Sequence, residues 1–415
     1  MNDISVKEAT MGYLLIKNAH IITPLSEILH GFIVTKGKYI HYIGDLIEDE
    51  KKYNYFKQVV ESEVDFKGNY ALPGFIDIHT HGVLGKDYSD SPELVKEEGV
   101  FRASKGITGF LPTLGAFVSP EKLLSSADKL TKYIKDVEGG AKPLGINLEA
   151  PFLRPDIGAH DAANCFWSVD IKYLKRAKKI MGNSFKIITI APELENSMDG
   201  ISFLRSEGVI PSIGHTMATE KELDAAIRHG ANLVTHLLNT TYQPEQNLKG
   251  IMLTGANEYL LTRDDIMAEA IVDTQGIHIN PTMLKILVRC KGIKKIIMIS
   301  DSFITPGTEP GRMFIMPNGQ EVYEENGVNI QAVRKHVCGS AMTIDVSFRS
   351  MMNHTGLSVP EVSQMTSLNP AKILGLADRK GSLEIGKDAD IISVNNNIEV
   401  QTTIVEGVVV YNKCK

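Results

Sequence analysis

The chain divides by the rhythm of its apolar residues. Over residues 12–70, short β-branched and aromatic runs ("YLLIKNAHII", "GFIVTKGKYIHYIG", "SEVDFKGNYALPG") lie between Gly, Asn and Asp, and predict strands joined by turns. From residue 72 short apolar runs alternate with longer stretches of helical period. "GITGFLPTL", "EKLLSSADKLTKYIKDV", "PLGINLEAPFL" and "DIKYLKRAKKIM" open a series that continues to "IKKIIMISD". Alternation of that kind builds a parallel sheet from βα units. About eight strand runs fall between residues 72 and 301, which predicts an α/β fold with a closed (β/α)8 TIM-type barrel. No GxGxxG follows an early strand to support a dinucleotide-binding sheet. After residue 375 strand texture returns in "GSLEIGKDADIISVNNNIEVQTTIVEGVVVYNK". The predicted organisation is a small β-sandwich made from residues 1–70 and 376–415, with the barrel of residues 71–375 inserted between its halves.

Composition narrows the partners. The 415 residues are 43% hydrophobic and 23% charged, ordinary for a soluble globular protein. A formal net charge of −6, with no long Lys/Arg run, points away from nucleic acid and from membrane surfaces. Cys165, Cys290, Cys338 and Cys414 are scattered without a CxxC pair, as expected of reduced thiols. No run approaches the ~18 apolar residues of a membrane span. The segment "MNDISVKEATMGYLLIKNAHIITP" lacks a basic stretch followed by a long apolar core, and translation from either Met1 or Met11 fits it. The expected setting is the cytoplasm and the expected partner a soluble small molecule.

Chemistry in such barrels sits at the carboxyl ends of the strands. "GFIDIHTHG" ends in His79 and His81, "PLGINLEAPFL" carries Glu149, and "IPSIGHT" ends in His215. "NLVTHLLN" ends in His236 and Asn239, "KKIIMISD" ends in Asp301, and His278 lies just beyond "EAIVD". On a strand, positions i and i+2 share a face, so His79 and His81 converge. Taken singly, each residue has an ordinary reading as a hydrogen-bonded turn His, a salt-bridged Glu or a helix-capping Asp. Their recurrence at one end of the barrel does not. An imidazole and carboxylate set without cysteine suits Zn²⁺, Fe²⁺, Mn²⁺ or a similar ion. His160, eleven residues past Glu149, fits a substrate contact or a structural role equally, and His336 is left open beside its Gly-rich loop. His20, His30, His41, His229 and His354 read as structural or surface residues.

In order and spacing these residues resemble the amidohydrolase superfamily, and within it the N-acetylglucosamine-6-phosphate deacetylases. The likeness rests on "PGFIDIHTHG", "NLEAPFL", "GAHD", "APE", "GHTMA", "THLLN", "GIH", "ISD", "CGSAMTID" and "SLNPAKILGLADRKGSLEIGKDADIISV", and runs from about residue 14 to 411. It implies a barrel with a two-part β-sandwich and one or two divalent ions per subunit, zinc or iron in first place, manganese or cobalt in second. Glu149, His215 and His236 would hold the principal ion; His79 and His81 would hold a second, sharing Glu149 and Asp301. Asp301 would act as general base and then general acid. Ala159, His160, Asn239, Thr240 and His278 match positions that hold the sugar and phosphate, and Val337, Cys338 and Gly339 match a loop beside the acetyl group.

The implied activity is hydrolysis of N-acetylglucosamine 6-phosphate to glucosamine 6-phosphate and acetate, in amino-sugar catabolism, by a homodimer. Two departures touch the phosphate and sugar side. Thr240 and Thr241 replace the usual Ala-Met, no arginine follows in "NTTYQPEQNLKGIML", and Lys249 is the only cation there. "DTQGIH" is longer by two residues than the usual Asp-Gly-x-His. The same chemistry on N-acetylgalactosamine 6-phosphate or another N-acyl amino compound is therefore the alternative. A scaffold that has lost catalysis would be expected to lack ligands, and this chain keeps them all.

Overall fold

A computed structural model describes residues 12–24, 26–115, 117–241 and 254–413. Lys249 and Cys414, two residues of interest in the sequence, lie outside them. Eight parallel strands form the barrel: β1 (Phe75–Thr80), β2 (Ile107–Gly115), β3 (Ile146–Glu149), β4 (Phe185–Ile190), β5 (Ile210–Ile213), β6 (Leu233–Val234), β7 (Met267–Ile271) and β8 (Ile296–Ile299). Alternate side chains face opposite sides of each strand. Ile76 and Ile78 of β1 join Leu111, Ile187, Ile210, Leu233, Ile271, Ile297 and Ile299 inside the barrel. Phe75 points outward and packs on Phe348 of the helix Ile344–Thr355, ring centroids 5.6 Å apart. Local signals set the helices between the strands. Ser119 caps Pro120–Tyr133 by accepting the Lys122 N–H, and Thr219 with Glu222 forms a capping box on Glu220–His229.

The barrel closes between β1 and β8 largely through polar groups. Asp77 Oδ2 accepts the Ser300 hydroxyl at 2.6 Å, and its Oδ1 accepts the Ser300 N–H at 3.2 Å. The Asp301 N–H donates to the His79 carbonyl at 3.0 Å. This closure brings Asp301 against the HxH pair.

The two chain ends meet in a separate eight-stranded sheet. Ile391–Val394 pairs antiparallel with Tyr70–Pro73, joining the C-terminal strands to the N-terminal ones. Its core holds Leu14, Ile16, Ile33, Ile391 and Ile404. Two elements differ from the expected pattern. Residues 12–70 include a helix, Glu50–Val59, whose Phe56 packs over Leu15, Phe32 and Val34. A four-stranded antiparallel sheet spanning residues 313–340 follows β8 and folds over the barrel mouth. Among the described residues no helix is long and apolar enough to cross a membrane, and Cys165, Cys290 and Cys338 are free thiols.

Candidate active site and metal centre

The strand ends deliver their polar residues to one point. Nε2 of His236 lies 2.6 Å and Nε2 of His215 3.0 Å from Glu149 Oε1, while Nε2 of His81 lies 3.0 Å from Glu149 Oε2. Nε2 of His79 is 3.3 Å from that of His81. Asp301 Oδ1 stands 3.3 Å from His81 Nε2 and 3.5 Å from His79 Nε2. Two groups, His79 with Glu149 and His236, and His79 with His81 and Asp301, each offer ligand atoms within 4.8 Å of one another. His79 is common to both groups, and His215, 3.0 Å from Glu149 Oε1, is in neither.

Backbone strain accompanies this convergence. His215 (φ 50°), His236 (φ 28°) and Asp301 (φ 45°) all adopt left-handed conformations that non-glycine residues enter at a cost, and such strain concentrates at functional sites. Two glycines make room for it. A Cβ on Gly158 would lie 2.7 Å from His215 Nδ1, and one on Gly339 would lie 2.7 Å from the Asp301 carbonyl.

The electrostatics suit a cation. Burial alone would push the Glu149 carboxyl up, but the His79, His215 and His236 imidazoles hold it well below the usual range. Asp301 behaves likewise: burial raises it, and the His81 hydrogen bond with the His79 and His81 charges brings it below its ordinary value. Against the pull of burial, Glu149 and Glu269 lift His79 well above its ordinary value. His81 rises to about 9 under Asp301 and Glu149, and His236 rises through Glu149. A buried pocket whose carboxylates stay ionised and whose imidazoles seek protons draws in positive charge. With its all-nitrogen and oxygen donor set, it fits a borderline divalent ion.

Around this centre lies a cavity of about 270 Å³. Every residue expected from the sequence reaches it except His79, which is fully buried behind His81. His160 donates Nε2–H to the Arg154 carbonyl at 3.2 Å, so Nδ1, buried and without a partner among the described residues, is its acceptor. Burial and the neighbouring His215 push His160 down to about 3, which keeps it neutral. His278 lies 3.1 Å from Asp273 Oδ2 through Nδ1, and its buried Nε2 has no partner among the described residues. Asn239 Nδ2 donates to the His278 carbonyl at 3.1 Å, and Thr240 takes φ 53° beside it. Ala159 accepts from Gln331 Nε2 at 2.5 Å, which ties the residue 313–340 sheet to the His160 loop. Val337, Cys338 and Gly339 from the last strand of that sheet line the cavity opposite, and so does His336.

Reading strand ends missed three kinds of residue. Phe117 and Phe303, stacked at 4.8 Å, form an apolar wall that no polar motif marks. Arg102, fully buried, donates Nε–H to Glu98 at 2.7 Å and an NH2 hydrogen to Thr80 at 3.1 Å, bracing the residue between His79 and His81. Glu269 contacts His79 from behind; its signal was a carboxylate inside the apolar run "MAEAI".

Comparison with known proteins agrees with this architecture. The Amidohydrolase family profile matches residues 70–410. The N-acetylglucosamine-6-phosphate deacetylase of Bacillus subtilis (strain 168) is 31% identical over 407 residues, 95% of this chain and 96% of that protein. The N-acetylgalactosamine-6-phosphate deacetylase of Escherichia coli O157:H7 is 28% identical over 341 residues, 81% of this chain and 86% of that protein. The crystal structure of N-acetylglucosamine-6-phosphate deacetylase from Pasteurella multocida superposes with a TM-score of 0.84 at 26% identity, covering 96% of this chain and 100% of that one. With a profile match over most of its length and a relative aligned nearly end to end, this chain belongs to the amidohydrolase family.

Proposed function

We propose that this chain hydrolyses the acetamide of N-acetylglucosamine 6-phosphate, releasing glucosamine 6-phosphate and acetate. The observation that carries the reading is the convergence of His79, His81 and Asp301, and of His215 and His236, around Glu149 at the floor of a sugar-sized cavity. The names of the relatives in Bacillus subtilis and Pasteurella multocida supply the substrate.

In this reading Glu149, His215, His236, His79, His81 and Asp301 hold one or two divalent ions, zinc or iron in first place. A bound ion of this kind supplies Lewis acidity toward the acetamide carbonyl and lowers the pKa of water. Asp301, buried and ionised, takes the proton from the attacking water onto its carboxylate and returns it to the departing amine nitrogen. His160 Nδ1, a buried acceptor, and His278 Nε2, a buried polar atom without a partner among the described residues, match a pair of sugar hydroxyls, which can donate or accept. The Phe117–Phe303 wall and the Val337–Gly339 segment enclose the acetyl methyl and keep bulk water off the reacting carbon.

No Lys or Arg is among the described residues lining the cavity. Arg334 is exposed on the turn two residues before His336. The turn leads directly into His336 and Val337, which line the cavity, and is the phosphate side of the proposal. Acetate release from N-acetylglucosamine 6-phosphate by zinc-loaded protein, measured beside the galactosamine isomer and both unphosphorylated sugars, tests the reading. A higher kcat/KM on the phosphorylated glucosamine substrate is expected. Preference for the galactosamine isomer would transfer the reading to the reaction named for the Escherichia coli relative. No acetate from any of them would overturn it.

A further inference from the structure

Strand β7 carries a carboxylate to which none of the roles above is given. In Met267–Ile271, Ile271 packs inside the barrel while Ala268 and Ala270 face the helical layer. Glu269 shares the inward parity and is fully buried. A carboxylate in such a place costs several kcal/mol unless it is paired. Its Oε2 lies 3.0 Å from His79 Nδ1 and also accepts the backbone N–H of His236 at 3.3 Å. Its Oε1 is buried with no hydrogen-bond partner among the described residues. One oxygen therefore touches two of the three residues in the His79, Glu149 and His236 group.

The contact has a chemical consequence. A neutral imidazole that donates Nδ1–H to a carboxylate keeps its lone pair on Nε2. Nε2 of His79 is the atom that faces Glu149 and Asp301, 3.5 Å from each. The same carboxylate, through the His236 N–H, braces a residue held at φ 28°. We propose that Glu269 is a positioning residue for the metal centre: it fixes the His79 tautomer and ring angle, and it holds the backbone from which His236 reaches the same ion. The proposal rests on the metal-dependent reading above and concerns ion binding, not the identity of the sugar.

Glu269→Gln keeps the shape of the side chain. Its amide oxygen, in the Oε2 place, can still accept from His79 Nδ1 and the His236 N–H, but without the negative charge that strengthens both bonds and raises the basicity of His79 Nε2. Loss of such an outer carboxylate typically costs 10–100-fold in metal affinity. The test uses the full chain stripped with a chelator, titrated with Zn²⁺, together with ¹⁵N-histidine NMR of the zinc-loaded wild type in which His79→Asn assigns the signal. Expected are a 10–100-fold weaker zinc affinity in Glu269→Gln, with a zinc-free melting temperature close to wild type, and a wild-type His79 protonated on Nδ1 and coordinated through Nε2. Equal zinc affinity in the variant overturns the proposal. So does a wild-type His79 that binds zinc through Nδ1, a measurement that stands even where the variant fails to fold. Neither readout uses acetate release, so failure of the sugar assignment leaves this result distinct.

Discussion

Replacing Asp301 by Asn tests the proton-transfer role when ion content is matched, because it removes one buried charge and leaves the framework in place. The residue sits at φ 45°, a conformation that Asn and Asp enter more readily than other non-glycine residues. Its backbone bonds, Asp301 N–H to the His79 carbonyl at 3.0 Å and Ser340 N–H to the Asp301 carbonyl at 2.8 Å, do not involve the side chain. The amide oxygen can still face His81, now at 3.3 Å from the carboxylate. What is lost is a base able to take and return a proton. A positioned general acid–base contributes typically ~10²–10⁴ in rate, or roughly 3–5 kcal/mol of barrier. Single-turnover acetate release from N-acetylglucosamine 6-phosphate, with zinc content measured on the same samples, should show that loss in kcat. A variant within about tenfold of wild type at equal zinc content would refute the assignment of Asp301 as the proton carrier.

Other consequences can be measured separately. Arg334→Ala should raise KM for the phosphorylated sugar by roughly tenfold, the value of about one charge-assisted hydrogen bond, and leave the unphosphorylated sugar unaffected; an equal change on both removes the turn from phosphate recognition. Arg102→Leu leaves Glu98 buried without its ion partner, and should cost roughly 3–5 kcal/mol in urea unfolding; a loss under about 1 kcal/mol would show that the Arg102 braces behind the HxH pair are energetically idle. His160 is held at about 3, below the 6.5 of an exposed histidine. Between those values the unfolded chain binds a proton that the folded one refuses. Stability present above pH 6.5 is therefore lost as the pH falls, by roughly 1 kcal/mol per pH unit. His160→Gln should flatten the decline of melting temperature below pH 6.5, and an unchanged slope would show that the imidazole is solvated.

Much of the architecture was legible along the chain because its information is local. Period-2 and period-3.6 runs declare strands and helices wherever one face is buried, and ligand-type residues at the ends of apolar runs have few other reasons to be there. His79, His81, Glu149, His215, His236 and Asp301 could be picked out on that ground before their distances were known. The helix Glu50–Val59 escaped because its apolar side is narrow, Phe56 being its one fully buried residue.

What the tertiary structure alone decided is pairing across long separations. Glu269 meets His79 over 190 residues of chain. Asp77 closes the barrel on Ser300 over 223. The sheet of residues 313–340 reaches the His160 loop through Gln331 and Ala159, 172 residues apart. A buried carboxylate in "MAEAI" announces that it needs a partner, because an unpaired charge in the interior is too costly to persist. Which partner it finds depends on the closure of eight strands around one axis, and no local pattern records that closure.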